Sequence, residues 1–460
     1  MLVPDFIISY LKNRSYYFII FISLSFCQFF INPQRPLFDL LKWEEINSNN
    51  ILLPTVGPPV ITDPDSSDIT SFYYSSTKSN RLMMGEIFPE VSINNTDGTR
   101  LRLYGTAGIT LSKRLTIQNE FEFDNQGEDD PHFHGSLRNS AQGWVGYLQH
   151  SSVNYFYSLG HIAMGRGNPF FYNMSESLLL NPRFPPAEFM WWQHGVKWFQ
   201  FDWGVLLLNK MGLNNRFLSF HRYGLVHTNW RVGFTEAVLG TYNSLGTREI
   251  GYFMPAGVHL ETEVNRSINT NLFWLFDGML KWNGWTFTGE FLIDDFAVDG
   301  LSPHQIAGSA GVGRKINNLL FINGEYTRIS RWTGNYCDSL KQWVEKDVPI
   351  GHSIGSDAHQ LLVNSYYPLN DKVAVALSLR WMEDGGGLAI ERLFDWPNDV
   401  PCENNFGYNS APFPSTSNIT SSGETKFYYL MQDWILAEMH IIIDKKMPPY
   451  YKVAFSLHLD

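Results

Sequence analysis

Strict alternation of apolar and polar residues recurs along most of the chain. Over 113–124, KRLTIQNEFEFD, every even position is polar and most odd positions are apolar. The same period of two runs through 101–111, 372–381 and 451–460. Side chains of a β-strand point alternately to its two faces. These segments are therefore predicted to be strands with one apolar and one polar face.

Turn signals separate the strands, and helical periodicity is scarce. Asn283-Gly284, between Trp282 and Trp285, is the signature of a two-residue hairpin turn. The most apolar later stretch, 427–443, contains several charged and polar residues, which would be costly at the centre of a helix in lipid. No spanning helix is predicted there.

Two architectures contain strands with one apolar face: a soluble sandwich and an outer-membrane barrel. The strands recur from about residue 99 to residue 460, whereas a sandwich domain takes roughly 100 residues. Aromatic pairs such as Trp191-Trp192 suit the girdles of a membrane barrel. The pattern favours an all-β, transmembrane antiparallel β-barrel, with a short irregular N-terminal periplasmic segment.

Composition agrees with a chain that faces lipid. Aromatic residues make up 15% of the sequence and charged residues only 17%, against roughly 25% charged residues in ordinary soluble domains. The net charge of −11 argues against a nucleic-acid partner, which requires a basic surface. Outer-membrane lipid is the expected surrounding.

The N-terminus is typical of an export signal. Lys12 and Arg14 precede the apolar run 16–27, which is shorter than the roughly 20 residues of a spanning helix. Residues 1–27 are predicted to be a signal peptide, with an uncleaved anchor as the alternative. Residues 54–70 are rich in Pro, Asp and Ser, and residues 28–98 are predicted to be an irregular periplasmic arm or linker, with residues 99–460 as the barrel.

Two cysteines, Cys337 and Cys402, remain after the signal. Both lie in polar, turn-rich segments, and 393–425 is predicted to be a long surface loop. An even number of cysteines in an exported chain predicts a Cys337–Cys402 disulfide, with two free thiols as the alternative.

The stretch 289–300, GEFLIDDFAVDG, concentrates carboxylates in a predicted strand. Alternation from Trp285 places Glu290 and Asp294 on the polar face, about 13 Å apart at ~3.3 Å per residue. Glycosidase carboxylates lie roughly 5.5 Å or 6.5–9.5 Å apart. These two therefore do not form a hydrolytic pair. They are predicted either to line a wet lumen or to contact sugar.

Five stretches share their order and spacing with one known family: 160–189, 220–239, 289–296, 324–329 and 349–363. On these stretches the chain resembles the Wzi-type capsule assembly family. The resemblance implies an outer-membrane barrel of about 18 strands, a lectin-like role without catalysis, and surface polysaccharide and capsule export machinery as partners. It also implies an N-terminal helical bundle, from which the Pro-rich residues 28–100 depart.

The resemblance makes the polar residues of the matched stretches candidates for ligand binding at the lumen or its rim. They are Arg166, Glu188, Arg222, Glu236, Glu290, Asp294, Asp295, Glu325, His352 and Asp357. An arginine beside a carboxylate can instead brace a barrel interior through paired hydrogen bonds. Bracing is the favoured interpretation for Arg166, Arg222, Glu236 and Glu325, and sugar contact is the alternative.

Three motifs suggest other chemistry, and each lacks a required part. Gly351–Gly355 fits G-x-S-x-G, but no helix is predicted after Ser353. His132 and His134 have no third metal ligand nearby, and 308–315 lacks the Lys-Ser or Lys-Thr of a phosphate loop. No catalytic residue, metal or cofactor is expected.

The predicted function is polysaccharide binding that assists capsule or exopolysaccharide assembly or attachment, at the outer membrane of a Gram-negative-type bacterium. Two alternatives stay open at this point. A porin or sugar-selective channel would show the same alternation, and an outer-membrane hydrolase is the second alternative.

Overall fold

The computed structural model defines the fold of most of the chain after residue 82. It describes residues 56–57, 83–94, 98–112, 114–127, 145–171, 174–211, 214–242, 249–255, 259–260, 270–295, 304–316, 320–336, 338–346, 348–369, 373–387, 389–393, 417–432, 435–444 and 450–459.

Eighteen strands among these residues form one closed antiparallel barrel. Each strand pairs with its neighbours along the chain, and the first pairs with the last to close the sheet. The strands are β1 Met83–Asn94, β2 Gly98–Ser112, β3 Leu115–Asp124, β4 Val145–Tyr157, β5 Gly160–Gly167, β6 Ala187–Val196, β7 Phe199–Met211, β8 Asn214–Val226, β9 Trp230–Tyr242, β10 Asn271–Trp282, β11 Trp285–Asp295, β12 Gln305–Ile316, β13 Leu320–Ile329, β14 Ala358–Pro368, β15 Val373–Asp384, β16 Asn418–Gln432, β17 Ile435–Asp444 and β18 Tyr450–Leu459. The predicted all-β barrel of about 18 strands is confirmed.

Short elements lie outside the barrel sheet. They are the paired strands Val56–Gly57 and Phe170–Phe171, the paired strands Val344–Glu345 and Val348–Pro349, the 3₁₀ helices Glu249–Phe253 and Ser339–Lys341, and the α-helix Ala389–Leu393. None of the helices in the described residues is both long and apolar enough to cross a membrane.

The two faces of the strands differ as the alternation predicts. Phe121, Phe123 and Phe291 point outward, each more than 40% exposed. Glu122 and Glu290, on the intervening positions, are buried inside. The barrel thus has an apolar outer band, which suits lipid, and a polar inner wall.

Tryptophans gather at one end of the barrel, where the turns are short. Trp198 and Trp282 are 61% and 62% exposed beside their turns, and Trp285 starts the strand after the second turn. Asn283 and Gly284 form that turn with φ values of 50° and 76°. Two positive φ values in succession define the hairpin that Asn-Gly predicts.

The connections at the opposite end are longer. They include 125–144, 168–186, 243–270, 330–357 and 385–417. The barrel begins and finishes at the short-turn end, because β1 and β18 pair there. In outer-membrane barrels short turns lie on the periplasmic side and long loops on the extracellular side.

The strands extend further toward the N-terminus than the sequence pattern indicates. The barrel begins at Met83, within the range predicted as an arm, and not at residue 99. Pro89 lies within this strand, and a proline ordinarily argues against a paired strand. Pro89 stays in register with Leu103 of β2, whereas the pairing of β1 with β18 skips residues 88 and 89 and resumes at Glu90. The stretch 427–443 forms parts of two strands, β16 and β17.

Some predictions fall outside the described residues. These are the signal peptide 1–27, most of the arm 28–98, most of the loop 393–425, the Cys337–Cys402 disulfide, and the histidines His132 and His134.

Candidate functional site: a loop-filled lumen with a polar wall

Two of the long loops turn back into the barrel. We call their described residues within 174–186 and 331–357 the plug. The plug packs against inward-facing wall residues in one apolar cluster. Its members include, from the plug, Leu178, Leu179, Leu180, Phe184, Trp343, Ile350 and Ile354, and from the wall, Trp191, Leu206, Phe220, Leu239, Phe273 and Leu292.

The sequence explains why these loops fold inward. Three consecutive leucines, Leu178–Leu180, are 3%, 1% and 0% exposed. Full burial of a leucine contributes roughly 1.5–3 kcal/mol. A loop of this composition is therefore stable only where it contacts apolar residues, and the inward-facing apolar residues of the wall provide them.

Two buried wall carboxylates anchor the first plug loop. Glu290 on β11 accepts hydrogen bonds from Ser177 Oγ at 3.0 Å and the Leu178 amide at 2.8 Å. Glu325 on β13 accepts from the Ser175 amide at 3.1 Å and its Oγ at 2.9 Å. These carboxylates pair buried N–H groups that strand pairing does not reach. This favours the bracing interpretation for Glu325 and extends it to Glu290.

An arginine anchors the second plug loop. Arg216 on β8 donates to the carbonyls of Leu340 at 2.8 Å, Gln342 at 2.9 Å and Val344 at 2.7 Å. Its Nη1 also lies 3.5 Å from Glu345 Oε2. One guanidinium thus satisfies three carbonyls of a loop that has little regular structure of its own.

Arg222 braces the wall below the plug. Its Nη2 and Nε donate to the two oxygens of Asp277 at 2.8 and 3.0 Å, and its Nη1 lies 3.4 Å from Asp202. The three buried side chains link β7, β8 and β10, and the contact from β8 to β10 passes across the intervening β9. This is the paired arginine–carboxylate bracing that the sequence predicts for Arg222.

Glu236 lies on the outward face of β9, not in the lumen. It is the cross-strand partner of His221, which shares a face with the exposed Tyr223. Residues 249–255 and 259–260, which we call the flap, cover this part of the outer wall. The Glu236 carboxylate accepts from the amides of His259 at 2.7 Å and Leu260 at 3.1 Å. The expectation of a lumen or rim position for Glu236 is wrong.

Arg166 and Glu188 also lie outside the lumen. They are cross-strand partners on β5 and β6, with Nη1 and Oε1 2.6 Å apart. Their side chains are 27% and 58% exposed. Glu188 lies on the opposite face of β6 from Trp191, which points into the lumen. The pair is a surface brace near the loop end of the barrel.

The remaining candidates lie in the plug or beside it. Asp294 accepts from the Gly334 amide at 2.7 Å. Asp357 is buried with φ 54°, and its carbonyl accepts from the Gly385 amide at 3.0 Å. Asp295 pairs with Gln305 after a register shift, and its side chain lies outside the described residues.

A carboxylate that the sequence did not single out, Glu176, organises the base of the plug. It lies 3.5 Å from Arg183, 3.7 Å from Arg380 and 3.5 Å from His352, and the Ser353 amide donates to it at 3.0 Å. Burial opposes its charge, but Arg183, His352, Arg380 and the Ser353 hydrogen bond together outweigh burial and hold the pKa of Glu176 below its ordinary value. Burial lowers the pKa of His352 to about 4, so this ring is neutral at pH 7.

Ser353 does not have the surroundings of a nucleophile. Its hydroxyl donates to Glu176, and the Nε2 of the adjacent His352 faces Gln360 at 3.4 Å. A serine nucleophile requires a base that accepts its proton and is itself held by a third group. No histidine among the described residues forms a hydrogen bond with Ser353.

Part of the lumen is lined by charged side chains that stay partly exposed. We call the inward residues of β2–β4 and β15–β17 the polar wall. On one side, Arg100 and Arg102 pair with Asp124, and Tyr147 and Gln149 each donate to Glu122 at 2.5 Å. On the other side are Arg380, 30% exposed, and Glu424, 28% exposed and 2.7 Å from His440. Arg183 of the plug, 58% exposed, faces the same space beside Glu176.

Comparison with known proteins identifies the class of fold. No protein-family model matches the sequence, and no curated protein sequence matches it. Among solved structures, the chain is similar to Wzi from Escherichia coli, described as an outer-membrane, carbohydrate-binding β-barrel involved in group 1 capsule assembly. The TM-score is 0.58 at 9% identity, over 91% of this chain and 96% of Wzi. The chain also matches the outer-membrane protein opdK from Pseudomonas aeruginosa, with a TM-score of 0.47 at 7% identity, over 82% of this chain and 98% of that one.

At such low identity the likeness establishes the fold alone. The chain is an outer-membrane-type β-barrel, in agreement with its closed sheet and apolar outer band.

Proposed function

We propose that this barrel binds polysaccharide at the outer membrane and assists the assembly or attachment of capsule or exopolysaccharide at the cell surface, without catalysis. The observation that carries the proposal is the polar wall beside the plug. Charged side chains of both signs face one space there, several of them partly exposed, and the plug closes part of the lumen next to it. Wzi, which has the same fold, is described as carbohydrate-binding, and this supports the proposal.

The chemistry of the polar wall suits sugars. Arg183 and Arg380 share the single carboxylate of Glu176. Two guanidiniums carry ten N–H donors, more than one carboxylate can accept, and the exposed donors suit the hydroxyls and carboxylates of an acidic polymer. Tyr147 adds an aromatic ring whose face can stack on the apolar side of a sugar ring.

The plug argues against a wide pore. Its apolar residues are packed against the inner wall, and Glu290, Glu325 and Arg216 fix its backbone. A barrel of 16 to 18 strands without such loops would enclose an aqueous channel. We therefore propose retention of a ligand within the lumen or at its extracellular mouth rather than bulk passage.

One observation favours a second candidate, a narrow sugar-selective channel. The polar wall continues along several strands beside the plug, and a continuous polar path is what a channel needs. Conductance in planar bilayers separates the two. Steady pores in the wild-type protein would support the channel and contradict the binding proposal.

The first test is the partition of polysaccharide between cells and medium in a strain lacking this protein. We expect total polymer to be unchanged and to shift into the medium, and complementation with the wild-type gene to restore retention. Complementation with Arg183→Gln should restore less, because this variant removes an exposed lumen cation. Arg314→Gln, which alters an exposed arginine above Trp285 at the opposite end of the barrel, is the matched control. An unchanged partition in the deletion strain would overturn the proposal.

The same cultures test whether the protein cleaves the polymer. The chain length of the released polymer should match that of the bound polymer. Shorter polymer that disappears in a Ser353→Ala strain would support a hydrolase.

A further inference from the structure

Three metal-ligating side chains converge beneath the flap, outside the lumen. His221 on β8 and Glu236 on β9 are cross-strand partners, and His259 belongs to the flap. One ligand atom of each residue lies within 4.8 Å of the ligand atoms of the others. The two histidines are 0% exposed and Glu236 is 5% exposed. Among the described residues, these three form the group whose ligand atoms lie close enough together to hold one metal ion.

The hydrogen bonds of His221 fix its tautomer. Its Nε2 lies 2.9 Å from the Met254 carbonyl oxygen, which can only accept, so Nε2 carries the proton. Its Nδ1 is then an unprotonated nitrogen with a lone pair. This atom is buried and has no hydrogen-bond partner.

The same argument applies to His259. Ser219 Oγ donates to the Tyr252 carbonyl at 2.6 Å, so it can only accept from His259 Nε2, 3.4 Å away. The Nδ1 of His259 is therefore also unprotonated, and it is buried without a hydrogen-bond partner. Two buried lone pairs without donors are costly, and each ring is held through its other nitrogen, as in metal-bound histidines.

The third residue brings a negative charge. The Glu236 oxygens accept from the amides of His259 and Leu260, but no lysine or arginine in the described part of the chain lies within ion-pair distance. A carboxylate buried at the outer wall of a barrel without a cation is unfavourable. A bound divalent cation would supply the missing charge.

We propose that His221, Glu236 and His259 form a binding site for a divalent transition-metal ion, with Zn²⁺ the best fit. Two imidazole nitrogens and one carboxylate oxygen are ligands that Zn²⁺ prefers, with a fourth position for water. Mg²⁺ and Ca²⁺ prefer oxygen ligands throughout and fit poorly. Because two ligands come from the barrel wall and one from the flap, the ion fastens the flap to the outer face of β8 and β9.

The test is direct metal binding by the purified barrel in detergent, produced without a histidine tag and stripped with a chelator. Titration with Zn²⁺ should show one tight equivalent, retained through gel filtration and counted by elemental analysis. Mg²⁺ and Ca²⁺ should not compete. His259→Gln should weaken Zn²⁺ binding at least about tenfold, since even loss of an outer-shell partner costs 10- to 100-fold. Protection of the flap amides from hydrogen exchange should rise with Zn²⁺ in the wild type only.

The controls make each outcome decisive. His227→Gln removes an exposed histidine from a turn at the opposite end and should bind Zn²⁺ as the wild type does. His259→Gln lies outside the barrel strands, so migration as a folded barrel in unheated gels should persist. Equal Zn²⁺ binding by wild type and His259→Gln would overturn the proposal, as would absence of a tight equivalent in the wild type.

Discussion

Arg216 offers the sharpest test of the plug, because one side chain holds several backbone groups. Arg216→Met keeps most of the stem and removes the guanidinium. Three hydrogen bonds are lost, at 2.8, 2.9 and 2.7 Å. Bonds that involve a charged donor contribute about 1.5–3 kcal/mol each, which places the loss at roughly 4.5–9 kcal/mol. Glu345, buried beside it, also loses its cation.

A loss of this size would release the second plug loop from the wall of the lumen. At about 1.4 kcal/mol per tenfold, the lower figure raises the ratio of detached to docked plug roughly 10³-fold. We expect Arg216→Met to show discrete conducting events in planar bilayers where the wild type is nearly silent. The matched control is Arg314→Met, since Arg314 lies exposed over the Trp285 ring at the short-turn end of the barrel. If Arg216→Met folds and stays as silent as the wild type, the anchoring argument is refuted.

Three further predictions concern the charges and faces of the barrel. Acidification should loosen the plug: the pKa of buried His352 is about 4, below its ordinary 6.5, so docking stability is lost as pH falls from 6.5 through 4. Glu176, whose pKa is held low, adds a further loss of docking stability below its ordinary pKa of 4.5. Amide hydrogen exchange of the plug as a function of pH measures both losses. His352→Gln should remove the loss between pH 6.5 and 4. Arg222→Met removes the arginine that pairs with the buried Asp277 carboxylate and should lower the free energy of unfolding in urea by about 3–5 kcal/mol; an unchanged midpoint would contradict the bracing role. Phe291→Arg places a charge on the lipid face and should cost about 2–4 kcal/mol of stability in bilayers, with little effect in detergent.

The sequence predicts the faces of the strands well. Alternation around Glu122 and Glu290 assigns each residue to its side of the wall, and Asn283-Gly284 gives its hairpin, because both rest on local geometry. The register of the first strand is less local. β1 pairs with β18, more than 350 residues later, on both sides of Pro89.

The interior of the lumen is not predictable in the same way. Alternation states that Glu290 and Glu325 face inward but not what they meet, and they meet the backbone of a loop more than 100 residues away. Glu176 and Arg216 gain their roles only when distant segments fold together. A sequence pattern with period two contains no information on such contacts.

One signal of the flap was nevertheless present in the sequence. On β9 the outward face contains Val232, Phe234 and Val238, and Glu236 lies between Phe234 and Val238 on that face. His221 is likewise a polar residue on the outward face of β8, which it shares with Tyr223. Polar groups facing lipid must be satisfied within the protein.

Two such groups on neighbouring strands therefore require a cover that brings its own polar partners, and the flap meets that requirement with the amides of His259 and Leu260. Those amides satisfy the carboxylate oxygens of Glu236 but leave the Nδ1 lone pairs of His221 and His259 without donors. Shielding of the Glu236 carboxylate alone would not require a second histidine at this position. A metal ion accounts for both histidines and for the carboxylate at once.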